Sequence, residues 1–387
     1  MKKKRVLVMI SPFSAARVTG VARYARERGW HLMIQDRLGF RPLAWEGDGV
    51  ITALRSDSGT ADAVLRIMAR GIPVVDVTIS RPEIDAPRVT SDHVGIGRLA
   101  AEHFAERNLR NVVWFSTGWG NVHTLRYAGL TEKTPAGRWV AEEALPKSRR
   151  NEWDAFMRWI TGKLKESPKP LAALAYDEAD AARLLDAAER IGISVPEQLA
   201  ILSIGNDPII CENQSVPLSS IDQSLEQGGY EAAAMLDRLM DGEKPPAEPK
   251  LIPPRGICLR RSTDIIASSD PLVRRALDYI AEHISVPFGA AQIADDLKAS
   301  RNMLDKRFHA DLGRSIGDEI RRQRLALAKL LLENSNASIA EIAKRTGFCT
   351  PSHLANTFRA AAGLTPREWR DGLRRLPQAA PAASPRR

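Results

Sequence analysis

The stretch EIAKRTGFCTPSHLANTFR, residues 341–359, decides how the carboxyl-terminal third of this chain folds. Apolar residues at Ile342, Ala343, Leu354 and Phe358 carry helical spacing, yet Gly347 and Pro351 interrupt it. Gly347 can take the left-handed conformation that closes a helix. Thr350 suits an N-cap, and Pro351 then falls at the first helical position, where its missing N–H costs nothing. Helix, tight turn, helix is the outline of a helix-turn-helix, whose second helix can enter a DNA major groove. An ordinary helical hairpin has the same outline.

A repeat separates the two readings. Ile293-Ala294 is followed fifteen residues later by Phe308 and five after that by Gly313. Ile342-Ala343 is followed sixteen residues later by Phe358, and again five later by Gly363. After each glycine comes a cap-like stretch, Arg314-Ser315-Ile316 and Leu364-Thr365-Pro366, before another helix. This is a duplication with one residue of difference in the turn. Joined by a helical stretch from about Ile316 to Glu333, two such units could present two reading helices to one duplex. A purely structural hairpin has no need of the duplication.

The 387 residues have an ordinary soluble composition, 44% hydrophobic and 27% charged, with length for two or three domains. The formal net charge is +9. Residues 271–376 hold 18 Lys/Arg against 12 Asp/Glu, so much of the excess lies in the repeat region, where phosphate attraction needs it. Three scattered cysteines, Cys211, Cys258 and Cys349, show no metal-ligand spacing and fit a reduced cytoplasm. The apolar run in MKKKRVLVMISP is too short for a signal peptide, and no segment is long enough to cross a membrane. No cofactor is expected.

Before residue 260, short β-branched runs alternate with amphipathic stretches. The runs are 6–10, 32–34, 49–52, 73–77, 88–90, 112–115, 171–175 and 199–204; the helices are 18–28, 61–70, 97–106, 153–165, 179–191 and 229–240. That alternation predicts parallel sheets covered on both faces, in two lobes. Ligands bind beyond the carboxyl ends of such strands. Asp92, Asp177, Asn206 and Asp207 follow strands there, and Arg126 lies a little after another. Together they could hold the hydroxyls of a sugar-like ligand; singly, Asp92 and Asp177 could simply cap helices. Gly95-Ile-Gly97-Arg-Leu-Ala100 matches a dinucleotide fingerprint, but it does not follow the first strand and lacks the later acidic residue. No GxSxG, P-loop or HExxH motif occurs, which argues against an enzyme. The proline- and charge-rich run from Asp241 to Pro254 signals a linker.

These residues carry a resemblance. Ile293 to Trp369, above all Ile339–Phe348, Phe358-Arg359 and Gly363–Pro366, resembles an AraC/XylS-type DNA-binding domain. The α/β part, through residues 89–104, 216–222 and 229–243, resembles the periplasmic-binding-protein-like sensors of LacI/GalR-type repressors. Sensor first and AraC-type domain last is similar to the xylose-operon regulators. The resemblance implies a two-lobed α/β sensing and dimerisation domain over 1–254, a linker over 255–270, an all-α domain with two helix-turn-helix units over 271–376 and a disordered tail over 377–387. It implies a homodimer on double-stranded operator DNA, a small sugar effector such as a pentose, and RNA polymerase as a partner if it activates. Arg126 and Asp177 stand where sugar contacts are expected. Gly205 stands where the family usually has an aspartate, which leaves Asn206 or Asp207 to substitute, or the sensor to serve only for dimerisation. A sugar-processing enzyme fused to a DNA-binding module is the other alternative.

In the first unit the reading helix is expected from about Arg301 to His309. Leu304 and Phe308 turn inward there, leaving Arg301, Asn302, Asp305 and Lys306 for the groove. In the second unit Leu354 and Phe358 turn inward, leaving Ser352, His353 and Asn356. Asn pairs with adenine and Arg or Lys with guanine edges. Arg307 and Arg359 suit phosphate contacts.

Overall fold

A computed structural model describes residues 3–11, 13–35, 45–54, 60–149, 152–268 and 270–375. The tail expected over 377–387 lies outside the described residues. The chain divides into two compact units, 1–265 and 266–387.

The first unit has two lobes. In the amino-terminal lobe, β1 (Arg5–Met9), α1 (Ala15–Arg28), β2 (His31–Gln35), β3 (Gly49–Thr52), α2 (Thr60–Met68) and β4 (Val74–Asp76) build a parallel sheet of order β2-β1-β3-β4. β5 (Val89–Ser91) adjoins it through an Asp76–Arg88 bridge. Val6 and Val8 face Val18 and Val21 of α1, while Leu7 and Met9 face Val64 and Ile67 of α2. This is the two-sided burial that a continuous apolar strand requires.

The chain then crosses to the second lobe: α3 (His93–Glu106), β6 (Asn111–Ser116), α4 (Asn121–Thr131), β7 (Ala136–Val140), α5 (Ala141–Ala144), α6 (Trp153–Glu166), β8 (Leu171–Ala175), α7 (Glu178–Arg190), β9 (Leu199–Ile204), α8 (Pro208–Glu212) and β10 (Ser219–Asp222). It returns with α9 (Leu225–Met240) and β11 (Lys250–Ile252), and crosses a third time to β12 (Gly256–Cys258). β11 pairs with β5; the second sheet has the order β12-β10-β9-β8-β6-β7, with only β12 antiparallel. The three crossings are tied together. Asp92 N–H donates to the Ile252 carbonyl at 2.8 Å, Arg255 N–H to Asp222 at 2.9 Å, and the Ser224 hydroxyl to Pro253 at 3.0 Å.

One sequence reading changes here. The expected linker over 255–270 gives its first part to the sensor: Gly256–Cys258 pairs with β10, and Ser262 and Thr263 are fully buried. Their hydroxyls bond into the interior, Ser262 donating to the Ile201 carbonyl and Thr263 to the Ser219 hydroxyl. Gly97 of the dinucleotide-like stretch serves packing instead. A Cβ on Gly97 would overlap the Arg126 carbonyl, and one on Gly129 would overlap that of Val94, so α3 and α4 touch backbone to backbone. Gly20 and Gly229 do the same for α1 and α9 in the other lobe.

The second unit is all helical: α10 (Pro271–His283), α11 (Ala290–Asp296), α12 (Arg301–Leu312), α13 (Ile316–Asn334), α14 (Ile339–Arg345), α15 (Pro351–Ala362) and α16 (Pro366–Arg375). It contains two small cores. Ile293, Leu304 and Phe308 pack with Val273, Ile280 and Ile320 in one; Ile342, Leu354 and Phe358 pack with Leu325, Ala328 and Leu332 in the other. α13 runs through both.

Candidate functional site

Two places follow from this architecture: the exposed sides of the repeated helices, and the seam where the lobes of the first unit meet.

The repeated units share their construction residue by residue. Ser300 and Thr350 cap α12 and α15 by accepting from the N–H three residues on, and Gly313 and Gly363 close them at φ 69° and 73°. The turns before α12 and α15 each have one left-handed residue, Lys298 at φ 54° and Gly347 at φ 68°. Here the shorter first turn and the longer second turn differ. A Cβ on Gly347 would stand 2.6 Å from the Ile284 carbonyl and 2.8 Å from Arg324 Nε. Arg324, buried mid-α13, donates to the Val286 and Phe288 carbonyls at 3.0 and 3.3 Å and stacks on the Phe288 ring. One side chain and one glycine therefore fix the two cores to each other. Nearby Glu319 is fully buried and gathers Arg314, Arg322 and Gln323. Burial pushes its carboxyl up, but Arg322 and Arg314 hold it below the usual range.

Leu304, Phe308, Leu354 and Phe358 are buried, and Arg301, Asn302, Lys306, Arg307, Ser352, His353, Asn356 and Arg359 are exposed. Arg307 is engaged within the unit, 3.2 Å from both oxygens of Asp270, the N-cap of α10. Asp305 accepts from Ile316 N–H at 3.4 Å, so its carboxylate helps to start α13. His353 stands edge-on to Phe348. Arg324 and Glu319 gave no signal in the sequence beyond a run of charge in a helix.

At the seam, Arg126 on α4 is 4% exposed. Its Nε donates to His93 Nδ1 at 3.4 Å, one terminal nitrogen to the Tyr176 carbonyl at 2.8 Å, and the other to Gln223 Oε1 at 2.7 Å. His93 and Gln223 belong to the first two crossings, and the guanidinium also lies over the Tyr176 ring, which stacks on His123. Burial pulls the Arg126 pKa down, opposed by Tyr176, Asp177 and Glu178. Burial, then the charges of Arg126, Arg17 and His123, hold His93 down at about 2. Across the seam, Asn121 Nδ2 donates to the Ile79 carbonyl at 2.7 Å.

The other expected ligand contacts are used locally. Asp92 caps α3 by accepting from Gly95 N–H, and Asp177 caps α7 by accepting from Asp180 N–H, each at 2.8 Å. Asp207 is exposed and caps α8 through Ile209 N–H. Asn206, left-handed at φ 62°, gives its carbonyl oxygen to both terminal nitrogens of Arg260 at 3.1 Å. Thus Asp92, Arg126 and Asp177 gather around His93 and Tyr176, while Asn206 and Asp207 form a second group at the end of β9. Sequence reasoning missed Glu178 and Arg260. The Glu178 carboxylate accepts from Asp207 N–H and the Ser220 hydroxyl, and fills the space above Gly205, where a Cβ would be 2.5 Å from it. Burial pushes that carboxyl up.

Comparison with known proteins agrees with this division. A periplasmic binding protein-like domain model matches residues 101–263, and a helix-turn-helix domain model matches residues 293–372. The xylose operon regulatory protein of Escherichia coli strain K12 is 29% identical over 371 residues, 92% of this chain and 93% of that protein. The xylose operon regulatory protein of Haemophilus influenzae is 27% identical over 370 residues, 91% and 94% of the two. A solved structure of a xylose-binding transcription activator aligns with a TM-score of 0.60 at 26% identity, covering 96% of this chain and 99% of that one.

Proposed function

From the premise that the chain is a xylose-operon-regulator-like protein, with a periplasmic-binding-protein-like sensor ahead of an AraC-type helix-turn-helix domain, we propose that it is a transcription regulator whose binding to operator DNA responds to a small sugar. The observation that carries the DNA half is the duplicated unit. Two capped reading helices, each with its apolar face buried and its polar face exposed, hang on one continuous 19-residue helix. That helix spans about 28 Å, near one turn of duplex at about 34 Å. Arg301, Asn302 and Lys306 on α12, and Ser352, His353 and Asn356 on α15, are the base-reading set; Arg359 is the better phosphate contact, because Arg307 already has Asp270. The relatives are regulators, and no catalytic step is assigned to this chain.

On the sensor side, Arg126 joins two crossings and the end of β8, so a ligand that moves it changes the segments about which the lobes turn. The effector works only if it binds the two lobe arrangements with different affinity. The protein acts as a homodimer, with the first unit pairing the copies, and as an activator it contacts RNA polymerase. Among the described residues no helix is long and apolar enough to cross a membrane.

The test is a mobility-shift titration of the full chain on DNA upstream of its own gene, with and without sugar. Each good base contact is worth about 1–3 kcal/mol of discrimination. His353→Ala with Asn356→Ala should therefore cut the ratio of operator to scrambled-DNA affinity at least tenfold, with the circular dichroism spectrum unchanged. An unchanged ratio removes α15 as a reading helix.

A further inference from the structure

α3 touches the seam at one end and the chain leaving the sensor at the other. At its start, His93 Nδ1 accepts from Arg126, and His93 Nε2 lies 3.4 Å from the Thr90 hydroxyl. The helix then runs for 14 residues, about 21 Å. His103 in its last turn and Arg107 just after it are both buried. His103 Nε2 is 3.0 Å from the Thr263 hydroxyl, and Arg107 Nε donates to the Thr263 carbonyl at 2.9 Å. The segment that ends at Thr263 is held by the second lobe along its length: β12 by β10, Arg260 by Asn206 and the Leu218 carbonyl, Ser262 by the Ile201 carbonyl.

The helical unit takes hold of the chain almost at once. Ile266 packs on its first core, and the Ser268 hydroxyl bonds the Asp311 carboxylate near the end of α12. Asp270 caps α10 and holds Arg307 of α12. Between Thr263 and Ile266 stand only Asp264 and Ile265, whose N–H groups turn back to the Arg261 and Thr263 carbonyls at 3.0 and 2.9 Å. A flexible linker over all of 255–270 would let its ends wander about 20–24 Å and would carry no orientation. Two residues span at most about 7 Å. They leave four soft backbone dihedrals, which the turn restrains.

We propose that this is the route by which the effector controls the reading helices: α3 carries movement at the seam to His103 and Arg107, these pass it to Thr263, and the joint formed by Asp264 and Ile265 delivers it to the first helix-turn-helix unit. This rests on the sensor reading above. Arg107 is a positioning residue, which acts by fixing the Thr263 carbonyl.

The quantity that tests the route is the ratio of operator affinities with and without sugar, about 5–150-fold for a typical coupling. The full chain is titrated on DNA upstream of its own gene, alone and with D-xylose or D-ribose, and sugar affinity is taken from isothermal titration. A six-residue glycine-serine insert between Asp264 and Ile265 should leave the sugar Kd unchanged and bring the ratio to about 1, since each unit keeps its own contacts. The same insert between Lys244 and Pro245, in an exposed stretch after α9, should keep the parent ratio. Arg107→Met, which keeps the length and loses the donors, should cut the ratio at least threefold at unchanged sugar Kd. A parent-like ratio with the insert at the joint overturns the proposal and leaves the sensor reading standing. Equal loss from the two inserts, or an Arg107→Met chain whose ratio stays at the parent value, also overturns it. A parent that binds neither pentose, or binds one with no change in operator affinity, overturns the sensor reading and this proposal with it.

Discussion

Alanine at Gly347 and alanine at Gly313 form a matched pair. Both glycines are left-handed, at φ 68° and 69°, so each substitution carries the same backbone penalty, about 1–2 kcal/mol. They differ in space. Around Gly313 nothing lies within 4 Å of an added Cβ, whereas at Gly347 it meets the Ile284 and Val286 carbonyls at 2.6 and 2.8 Å and Arg324 Nε at 2.8 Å. Two of those three atoms are backbone and cannot swing away, and Arg324 is held by the Val286 and Phe288 carbonyls. Overpacking of this kind adds about 1–3 kcal/mol. Gly347→Ala should then cost about 2–5 kcal/mol and Gly313→Ala about 1–2. For a domain of about 100 residues each kcal/mol lowers Tm by roughly 4–8 °C. Scanning calorimetry of the full chain, following the transition of the helical unit, should show Gly347→Ala melting well below Gly313→Ala, with operator affinity falling in the same order. Equal shifts would mean that only φ matters at Gly347, and that Arg324 and the 284–288 carbonyls do not join the two cores.

Three further outcomes follow from the sensor. Burial first, then the Asp177 charge, raise the Asp180 carboxyl to about 6, so the folded state holds a proton that the unfolded chain, titrating near 3.8, releases. This group's contribution is full below about pH 4 and falls by roughly 3 kcal/mol as the pH rises past 6; urea midpoints of Asp180→Asn should lose that slope relative to the parent. His93 has the opposite sign, because its folded pKa near 2 lies below the unfolded 6.5, so stability falls as the pH drops below 6.5. His93→Gln should therefore gain stability relative to the parent on acidification from pH 7 to 5, and parallel pH profiles would refute the buried neutral imidazole. Gly129→Ala should destabilise the sensor by about 3 kcal/mol or more, since its Cβ overlaps the Val94 backbone, whereas Gly162→Ala on α6, with open space around it, should raise Tm; a mild Gly129→Ala would mean that α3 and α4 can separate cheaply.

The strands were legible because burial on both faces writes itself as continuous apolar runs, as in Leu171–Ala175 and Leu199–Ile204. The repeated helices were legible because caps, closing glycines and inward Leu/Phe pairs are local chemistry. α4 was not, because it packs through Gly129 and its own carbonyls rather than through an apolar stripe. β7, an edge strand reading Ala-Gly-Arg-Trp-Val, carries no alternation to find. α3 begins at His93 and α9 at Leu225, each four residues before the expected start, since Asp92 caps one and the second crossing feeds the other. Arg260 meets Asn206 across 54 residues of sequence, and Glu178 meets Asp207 across 29, so neither pairing leaves a local mark. The Pro-rich run at 241–254 marked the right neighbourhood for a boundary but not its position, because the last strand of the sensor comes after it.

That last strand sets where the protein can be cut and rejoined. A chimera spliced at residue 254, as the prolines invite, would leave β10 as the bare edge of a sheet cut from six strands to five, and remove the Arg260 fork from Asn206. It would also strip away Ser262 and Thr263, whose hydroxyls bond Ile201 and Ser219 in the interior. A splice at Ile266 keeps all of these with the sensor. Anyone grafting a new reporter or reading head onto this ligand domain should carry the native chain through Ile265; the shorter graft would expose a strand edge ready to pair with its neighbours and aggregate.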